Sequence, residues 1–295
     1  MMSFVSISDL SLQQVESIFI NSDFFKTKNA NPLLSDVVVA NVFFEPSTRT
    51  RMSFEMAALR LGAKSILFNG KIGSSLEKEE TYIDTVLNIA AMKPDMMVIR
   101  SNDELSFTDL KDQIDVPVIN AGWGTKGHPT QALLDIATLR AKNRPIAREK
   151  ILFIGDIKHS RVVSSHLELA KILNYEVAFC GPETFLPPNT SVKVFSSLKD
   201  GLAWATAAIF LRFQKERHQP NSGAPVATSP YQLNVETLKL VKNECVIMHP
   251  GPVNWGVEMT EDVLKDPRCL ILDQVNQGVY VRMALIYLVA KRELV

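Results

Sequence analysis

The sequence predicts an α/β protein of two similar-sized domains, each a parallel sheet flanked by helices. Short apolar runs rich in β-branched residues alternate with helix-period segments along most of the chain, the pattern of βα units around a parallel sheet. A length of 295 residues corresponds to about two domains at roughly 150 residues each. A polar, Pro-containing connector, Arg140–Pro145, separates the end of one helical segment from a fresh apolar run.

In chain order, the expected strands are Val37–Phe44, Ser65–Phe68, Asp95–Ile99, Val116–Asn120, Lys150–Ile154, Glu176–Phe179, Ala207–Phe210 and Cys245–Met248, all short and apolar. Helical spacing of apolar residues predicts helices over Arg51–Leu61, Tyr82–Ala91, Thr130–Ala141, Arg161–Leu173 and Val279–Arg292. Gly70–Glu80 and Lys215–Pro230 are polar or Gly/Pro/Ser-containing and lack periodicity, so they read as long loops, which in compact domains are often functional. No internal repeat or low-complexity tract interrupts the pattern.

Composition narrows the function classes. Apolar residues make up 46% and charged residues 22%, the balance of a chain that can bury a core and not of a disordered one. Thirty-two basic residues against 32 acidic ones leave no formal net charge, which removes the main support for a nucleic-acid-coating role. Cys180, Cys245 and Cys269 show no C-x-x-C spacing and no nearby His to complete a zinc set. Reduced thiols in the cytoplasm are expected. The opening MMSFVSISDL lacks the basic stretch and apolar run of a signal peptide, and no window reaches the roughly 18 apolar residues of a membrane span. The expectation is therefore a chain neither exported nor resident in a membrane.

Three segments carry chemistry. In Phe43-Phe-Glu-Pro-Ser-Thr-Arg-Thr-Arg-Met-Ser-Phe-Glu55 a strand ends, Pro46 breaks it, and hydroxyls alternate with guanidinium groups into a helix. Helix-first-turn N–H groups and the positive end of the macrodipole would join Ser47, Thr48 and Thr50, with Arg49 or Arg51 as a planar charged fork. Phosphate suits such a site; a plain Ser/Thr N-cap with two surface arginines fits the same residues about as well.

In Asn120-Ala-Gly-Trp-Gly-Thr-Lys-Gly-His-Pro-Thr-Gln131, three glycines let a loop run close to a ligand, and Pro129 opens a helix. His128 and Gln131 on its first turn would point toward the crevice at the strands' C-terminal ends; His128 alone reads equally as a capping residue. In Phe210-Leu-Arg-Phe-Gln-Lys-Glu-Arg217, Arg212 and Gln214 share one side at period 2. A carboxylate clamp and an ordinary charged edge both match.

Taken together these places resemble the aspartate/ornithine carbamoyltransferase family. The phosphate loop reads Ser47-Thr-Arg-Thr-Arg51 and the helix start reads His128-Pro-Thr-Gln131. Thr130, where ornithine-specific members typically carry Cys, the Arg-x-Gln-Lys-Glu-Arg run and the absence of a Ser-Met-Gly loop are similar to the aspartate branch. The likeness runs from about residue 35 to the C-terminus. It implies carbamoyl transfer from carbamoyl phosphate to the amino group of L-aspartate, as in pyrimidine synthesis, with no cofactor and no metal; transfer to another amine such as ornithine, or a weakly active subunit of a larger assembly, are the alternatives.

The resemblance also implies roles. Ser47, Thr48, Arg49 and Thr50 would hold the phosphate, and Arg100, His128 and Thr50 would face the carbonyl oxygen, where negative charge grows during attack. Gln131 would orient the carbamoyl NH2. Arg161, Arg212, Gln214 and Lys78 would hold aspartate, and Gly251 and Pro252 would offer backbone carbonyls to the carbamoyl group. Ser74 and Lys78 match a mobile loop supplied by a neighbouring subunit, implying a homotrimer, although the segment also reads as a solvated charged loop. Glu45, Arg161 and Arg217 match an ion-pair set that bridges the domains in the closed form.

The implied organisation is a carbamoyl-phosphate domain over residues 1–132 with a returning C-terminal helix over 277–295, and an aspartate domain over 133–276. A separate regulatory chain or dihydroorotase would be compatible partners. Trp123, Glu79 and Trp255 depart from the family pattern, and the two tryptophans are expected to add bulk where small, polar or charged groups usually stand.

Overall fold

The computed structural model describes residues 3–28, 32–70, 74–102, 105–110, 112–124, 127–213 and 229–294. They form two compact units, Met1–Ala137 with Ser164–Leu169 and Val275–Val295, and Thr138–Val163 with Ala170–Gln274.

The first unit is built on strands β1 (Val38–Phe43), β2 (Lys64–Asn69), β3 (Met96–Ser101) and β4 (Val118–Trp123) in the order β2-β1-β3-β4. Every pairing is parallel, so all four C-terminal ends lie along one edge. Its helices are α1 (Leu12–Thr27), α2 (Thr48–Arg60), α3 (Tyr82–Ala91), α4 (Phe107–Leu110) and α5 (Pro129–Arg140). The N-terminal segment closes the β4 edge: the Phe4 N–H donates to the Val118 carbonyl at 2.8 Å, and the Asn120 N–H donates to the Phe4 carbonyl at 2.8 Å. That pairing satisfies backbone groups an open edge would leave exposed.

The second unit repeats the plan with β5 (Lys150–Ile154), β6 (Glu176–Cys180), β7 (Lys193–Phe195), β8 (Ala207–Phe210) and β9 (Val246–Met248), ordered β7-β6-β5-β8-β9 and parallel throughout. Helices α6 (Arg161–Leu173) and α7 (Leu198–Trp204) accompany it. Helix α8 (Ile271–Lys291) begins in the second unit, and its greater part packs on the first. Gln277 donates to the Ala137 carbonyl at 3.2 Å, and the Tyr287 ring meets Phe25 edge-on at 5.6 Å.

Expected and observed elements differ in instructive places. Helix α8 starts eight residues before Val279 and α2 three residues before Arg51; polar Thr48, Arg49 and Thr50 hide the α2 start from an apolar periodicity test, and in α8 the apolar Leu272 and Val275 stay exposed while Gln274 is buried, so the pattern is broken there. Helix α1 was not expected at all: its apolar residues do not gather on one face, and Ile20 and Phe24 stay exposed. What starts it is a capping box, in which the Ser11 hydroxyl accepts from the Gln14 N–H and the Gln14 side chain accepts from the Ser11 N–H. Strand β7 and helix α7 are too brief to show a period in the sequence. The expected loop at 70–80 holds a 3₁₀ turn over Ser75–Lys78.

Candidate active site

In the first sheet the chain runs from β1 outward to β2 and then crosses to the other side of β1 for β3. The β1/β3 boundary is therefore the switch point, where ligands of open α/β sheets bind beyond the strands' C-terminal ends. Ser47–Thr50 follow β1, Arg100 is the penultimate residue of β3 and His128 follows β4, so three adjacent strands deliver these groups to one edge. The Phe44 N–H ties the start of the first loop to the Arg100 carbonyl at 2.9 Å.

Ser47 is the N-cap of α2 with extended backbone, yet its hydroxyl makes no capping hydrogen bond. Ser11 and Thr81, by contrast, cap their own helices. The α2 N-terminus thus has no cap from the Ser47 hydroxyl, and its first-turn N–H groups and macrodipole suit an anion. Thr50 is buried, whereas Thr48 and Arg49 are exposed. Arg100 is half-buried; its Nη1 donates to the Ala121 carbonyl at 3.2 Å, and its Nε stands 3.7 Å from the Glu45 carboxylate.

His128 and Gln131 are both 6% exposed. The His128 N–H donates to the Ser165 hydroxyl at 3.0 Å. This approach needs Gly127: its φ is +141°, and a Cβ there would lie 2.7 Å from the Ser165 oxygen. Gln131 donates through Nε2 to Asp135 Oδ1 at 2.8 Å, and Asp135 Oδ2 meets His166 Nε2 at 3.0 Å. Asp135 and His166 are fully buried. Sequence reasoning passed over both, although a carboxylate and an imidazole on otherwise apolar helix faces were the available signal.

Arg282 of α8 is also buried. It donates to the Ser53 hydroxyl at 2.9 Å and the Gly278 carbonyl at 3.2 Å, and it lies over the Phe54 ring at 5.1 Å. Burial pulls its pKa down to about 10, with the Asp135 charge opposing. In the 70–80 loop the Ser74 hydroxyl donates to the Gly70 carbonyl at 3.1 Å and Lys78 is exposed. Glu79 holds a φ of +67°.

In the second unit the switch point falls between β5 and β8 by the same reasoning. Arg161 opens α6 after β5, and Arg212 follows β8; both are half-buried. Gly155 permits the close passage of these two strand ends, since a Cβ there would lie 2.7 Å from the Leu211 carbonyl oxygen. The next strand, β9, leads to Gly251 and Pro252, which share a cis peptide bond. The Gly251 N–H donates to His249 Nδ1 at 2.8 Å, so the ring proton belongs on Nε2, 3.3 Å from Glu258 Oε1. Gln214 and Arg217 lie outside the described residues.

Of the departures, Trp123 does not crowd the site. It is 2% exposed, packs in the first unit's core against Phe107, and donates its indole N–H to the Leu105 carbonyl. The expected bulk is absorbed by the core because the ring is fully turned into it. Trp255 remains 39% exposed. No described helix is long and apolar enough to cross a membrane, and no group of three or more His, Cys, Asp or Glu that could hold a metal ion occurs among the described residues.

Each parallel-sheet unit thus places arginines at the C-terminal ends of its strands, Arg100 in the first and Arg161 and Arg212 in the second, as an enzyme acting on anionic substrates requires. The chain belongs to the aspartate/ornithine carbamoyltransferase family: residues 2–141 match its carbamoyl-P binding domain and residues 148–289 its Asp/Orn binding domain. It is 43% identical over 300 residues to the aspartate carbamoyltransferase catalytic subunit of Christiangramia forsetii, spanning 98% of this chain and 96% of that one. Among solved structures it is similar to Trypanosoma cruzi aspartate transcarbamoylase in complex with carbamoyl phosphate, with a TM-score of 0.87, 25% identity and coverage of 97% and 95%. The same enzyme in complex with carbamoyl aspartate and phosphate gives a TM-score of 0.84 at 25% identity, with coverage of 97% and 94%.

Proposed function

We propose that this chain transfers the carbamoyl group of carbamoyl phosphate to the amino group of L-aspartate, giving N-carbamoyl-L-aspartate and phosphate. The observation that carries the reading is the placement of Ser47–Thr50, Arg100 and His128 at the C-terminal ends of β1, β3 and β4, in a chain whose relatives are aspartate carbamoyltransferase catalytic subunits.

The first unit takes carbamoyl phosphate. Ser47, Thr48, Arg49 and Thr50 bind the phosphate at the α2 N-terminus, where N–H groups and guanidinium are complementary to a dianion. Arg100, His128 and Thr50 donate toward the carbonyl oxygen. As the aspartate amine attacks, the carbonyl carbon becomes tetrahedral and negative charge collects on that oxygen; donors placed beforehand stabilise this state more than the ground state. The C–O bond to phosphate then breaks, and the leaving phosphate accepts the ammonium proton. The second unit takes aspartate through Arg161, Arg212 and Gln214, because two carboxylates call for more than one cation. Lys78 adds to aspartate binding, and the Gly251 and Pro252 carbonyls accept from the carbamoyl amide.

The active form is a homotrimer in which Ser74 and Lys78 serve a neighbouring site. An apolar outer face supports this. Met52, Met56 and Leu59 recur at helical spacing on α2 and stay 49%, 42% and 61% exposed. Such a face suits a second copy of the chain. The enzyme works in the cytoplasm, where a regulatory chain or dihydroorotase are candidate partners.

The test is carbamoyl aspartate formation by the purified chain, with ornithine run beside aspartate. Turnover with aspartate alone supports the reading; a folded chain that consumes neither acceptor refutes it. Mixing inactive Lys78→Ala and His128→Ala chains and reassembling them should restore activity if sites are shared, and a fully inactive mixture would refute sharing.

A further inference from the structure

We propose that Asp135, held by His166, is a positioning residue that fixes the Gln131 amide with its oxygen directed away from the helix network, as the acceptor for the carbamoyl NH2. The inference rests on the carbamoyl-transfer reading above and deepens it.

The argument begins with what each group can donate. An ionised carboxylate only accepts hydrogen bonds, so the amide edge facing Asp135 Oδ1 at 2.8 Å must be the NH2. That leaves Gln131 Oε1 on the opposite edge, where it can only accept. A carbamoyl NH2 is a donor, so this orientation is the productive one; the flipped amide would set NH2 against NH2.

Burial makes the preference strong. Asp135 is fully buried on an α5 whose residues from Pro129 to Leu139 are all buried, so its charge has protein partners in place of water. His166 of α6 holds the second oxygen at 3.0 Å, and Arg282 of α8 faces the same carboxylate electrostatically. Next to His166 on α6, Ser165 receives the His128 N–H. Two consecutive α6 residues therefore hold the two groups assigned to the carbamoyl group, Ser165 at the His128 backbone N–H and His166 through Asp135 at Gln131.

The consequence is selectivity for carbamoyl over acyl donors. Acetyl phosphate carries a methyl where carbamoyl phosphate carries NH2, so it gains nothing from the Gln131 oxygen. Removing Asp135 and His166 together, as Asp135→Leu/His166→Leu, avoids leaving His166 without its carboxylate, while Gln131 Nε2 loses its acceptor and Arg282 its counter-charge. In that variant the KM for carbamoyl phosphate should rise about tenfold or more, the scale of one unmade buried hydrogen bond. Inhibition constants of acetyl phosphate and inorganic phosphate should stay within about twofold, since neither uses the lost acceptor. Asp135→Asn keeps an oxygen for Gln131 while its NH2 faces the His166 ring nitrogen, and it should retain most of the selectivity. In a Gln131→Met background the double substitution should add no further loss.

Parallel weakening of all three ligands, an unchanged carbamoyl phosphate KM in the folded variant, or an added loss in the Met background would each overturn the proposal. Should the double variant not fold, His166→Leu alone carries the comparison, with a smaller rise of the same selective kind expected and a uniform or absent change overturning it. An active parent enzyme with unselective variants refutes the positioning role only; a parent that makes no carbamoyl aspartate refutes the carbamoyl-transfer reading and the proposal with it.

Discussion

Gly278 clears the space that the Arg282 guanidinium fills. A Cβ at residue 278 would stand 2.6 Å from Arg282 Nη1 and 3.1 Å from Leu134, and the Gly278 carbonyl accepts from that same nitrogen. Helix propensity alone would favour Gly278→Ala by about 1 kcal/mol. Displacing a buried charged donor from its bonds costs about 1.5–3 kcal/mol per bond, so the second effect wins. Gly278→Ala should lower the urea midpoint, and a raised midpoint would contradict this account of the α8 interior.

Glu79 occupies left-handed backbone space at φ +67° immediately after Lys78, a conformation that costs a side-chain-bearing residue roughly 1 kcal/mol more than glycine. Its exposed side chain gives back little. Glu79→Gly should therefore stabilise the native state by up to about 1 kcal/mol, less the greater freedom glycine brings to the unfolded chain. Chemical denaturation reads this directly, and a clearly destabilised variant would show that Glu79 makes contacts outweighing its strain.

His128→Ala should lower kcat by about tenfold or more while leaving carbamoyl phosphate affinity nearly unchanged, because its donation matters most when charge builds on the carbonyl oxygen. Steady-state kinetics with both substrates varied separates the two effects. A pure affinity loss would assign His128 to ground-state binding.

Arg212→Ala should chiefly raise the KM for aspartate, since its ion pair with a carboxylate exists before reaction begins. The position directly after β8, beside the β5 end that leads to Arg161, motivates this. An unchanged aspartate KM would remove Arg212 from the clamp.

Burial pushes the Cys245 thiol from its ordinary 9.0 up to about 12, partly offset by Lys242, Arg144 and Arg268; burial, with the Asp200 charge adding, does the same to Cys180. Between these values the native state holds protons that the unfolded state has lost, so stability falls with rising pH. The contribution is complete below pH 9 and disappears as pH climbs toward 12. Cys245→Ala should flatten the alkaline fall in melting temperature, and an unaltered slope would place the loss elsewhere.

Much of the molecule was legible in the sequence. Ile151–Ile154 and Ala207–Phe210 are β-branched or apolar throughout and parallel-paired, so a short apolar run sufficed to find them. Tyr82–Ala91 and Arg161–Leu173 show the periodicity of helices with one buried face. The Ser47–Thr50 and His128–Gln131 groups stand out because unusual residue types cluster at a strand end. Asp135 and His166 do not: they lie 31 positions apart, each looks like a stray polar residue in a helix, and only packing α5 against α6 makes them a pair. Trp123 misled for the complementary reason, since its place in the chain suggests the site while its ring turns into the core.

That buried ring has an optical use. Of the three tryptophans, Trp123 alone lies in the first unit and is shielded from water, whereas Trp204 and Trp255 both belong to the second, the latter well exposed. Trp123 is therefore a native reporter of the first unit's core, sheltered from a water-borne quencher, whereas Trp255 in the second unit is open to one.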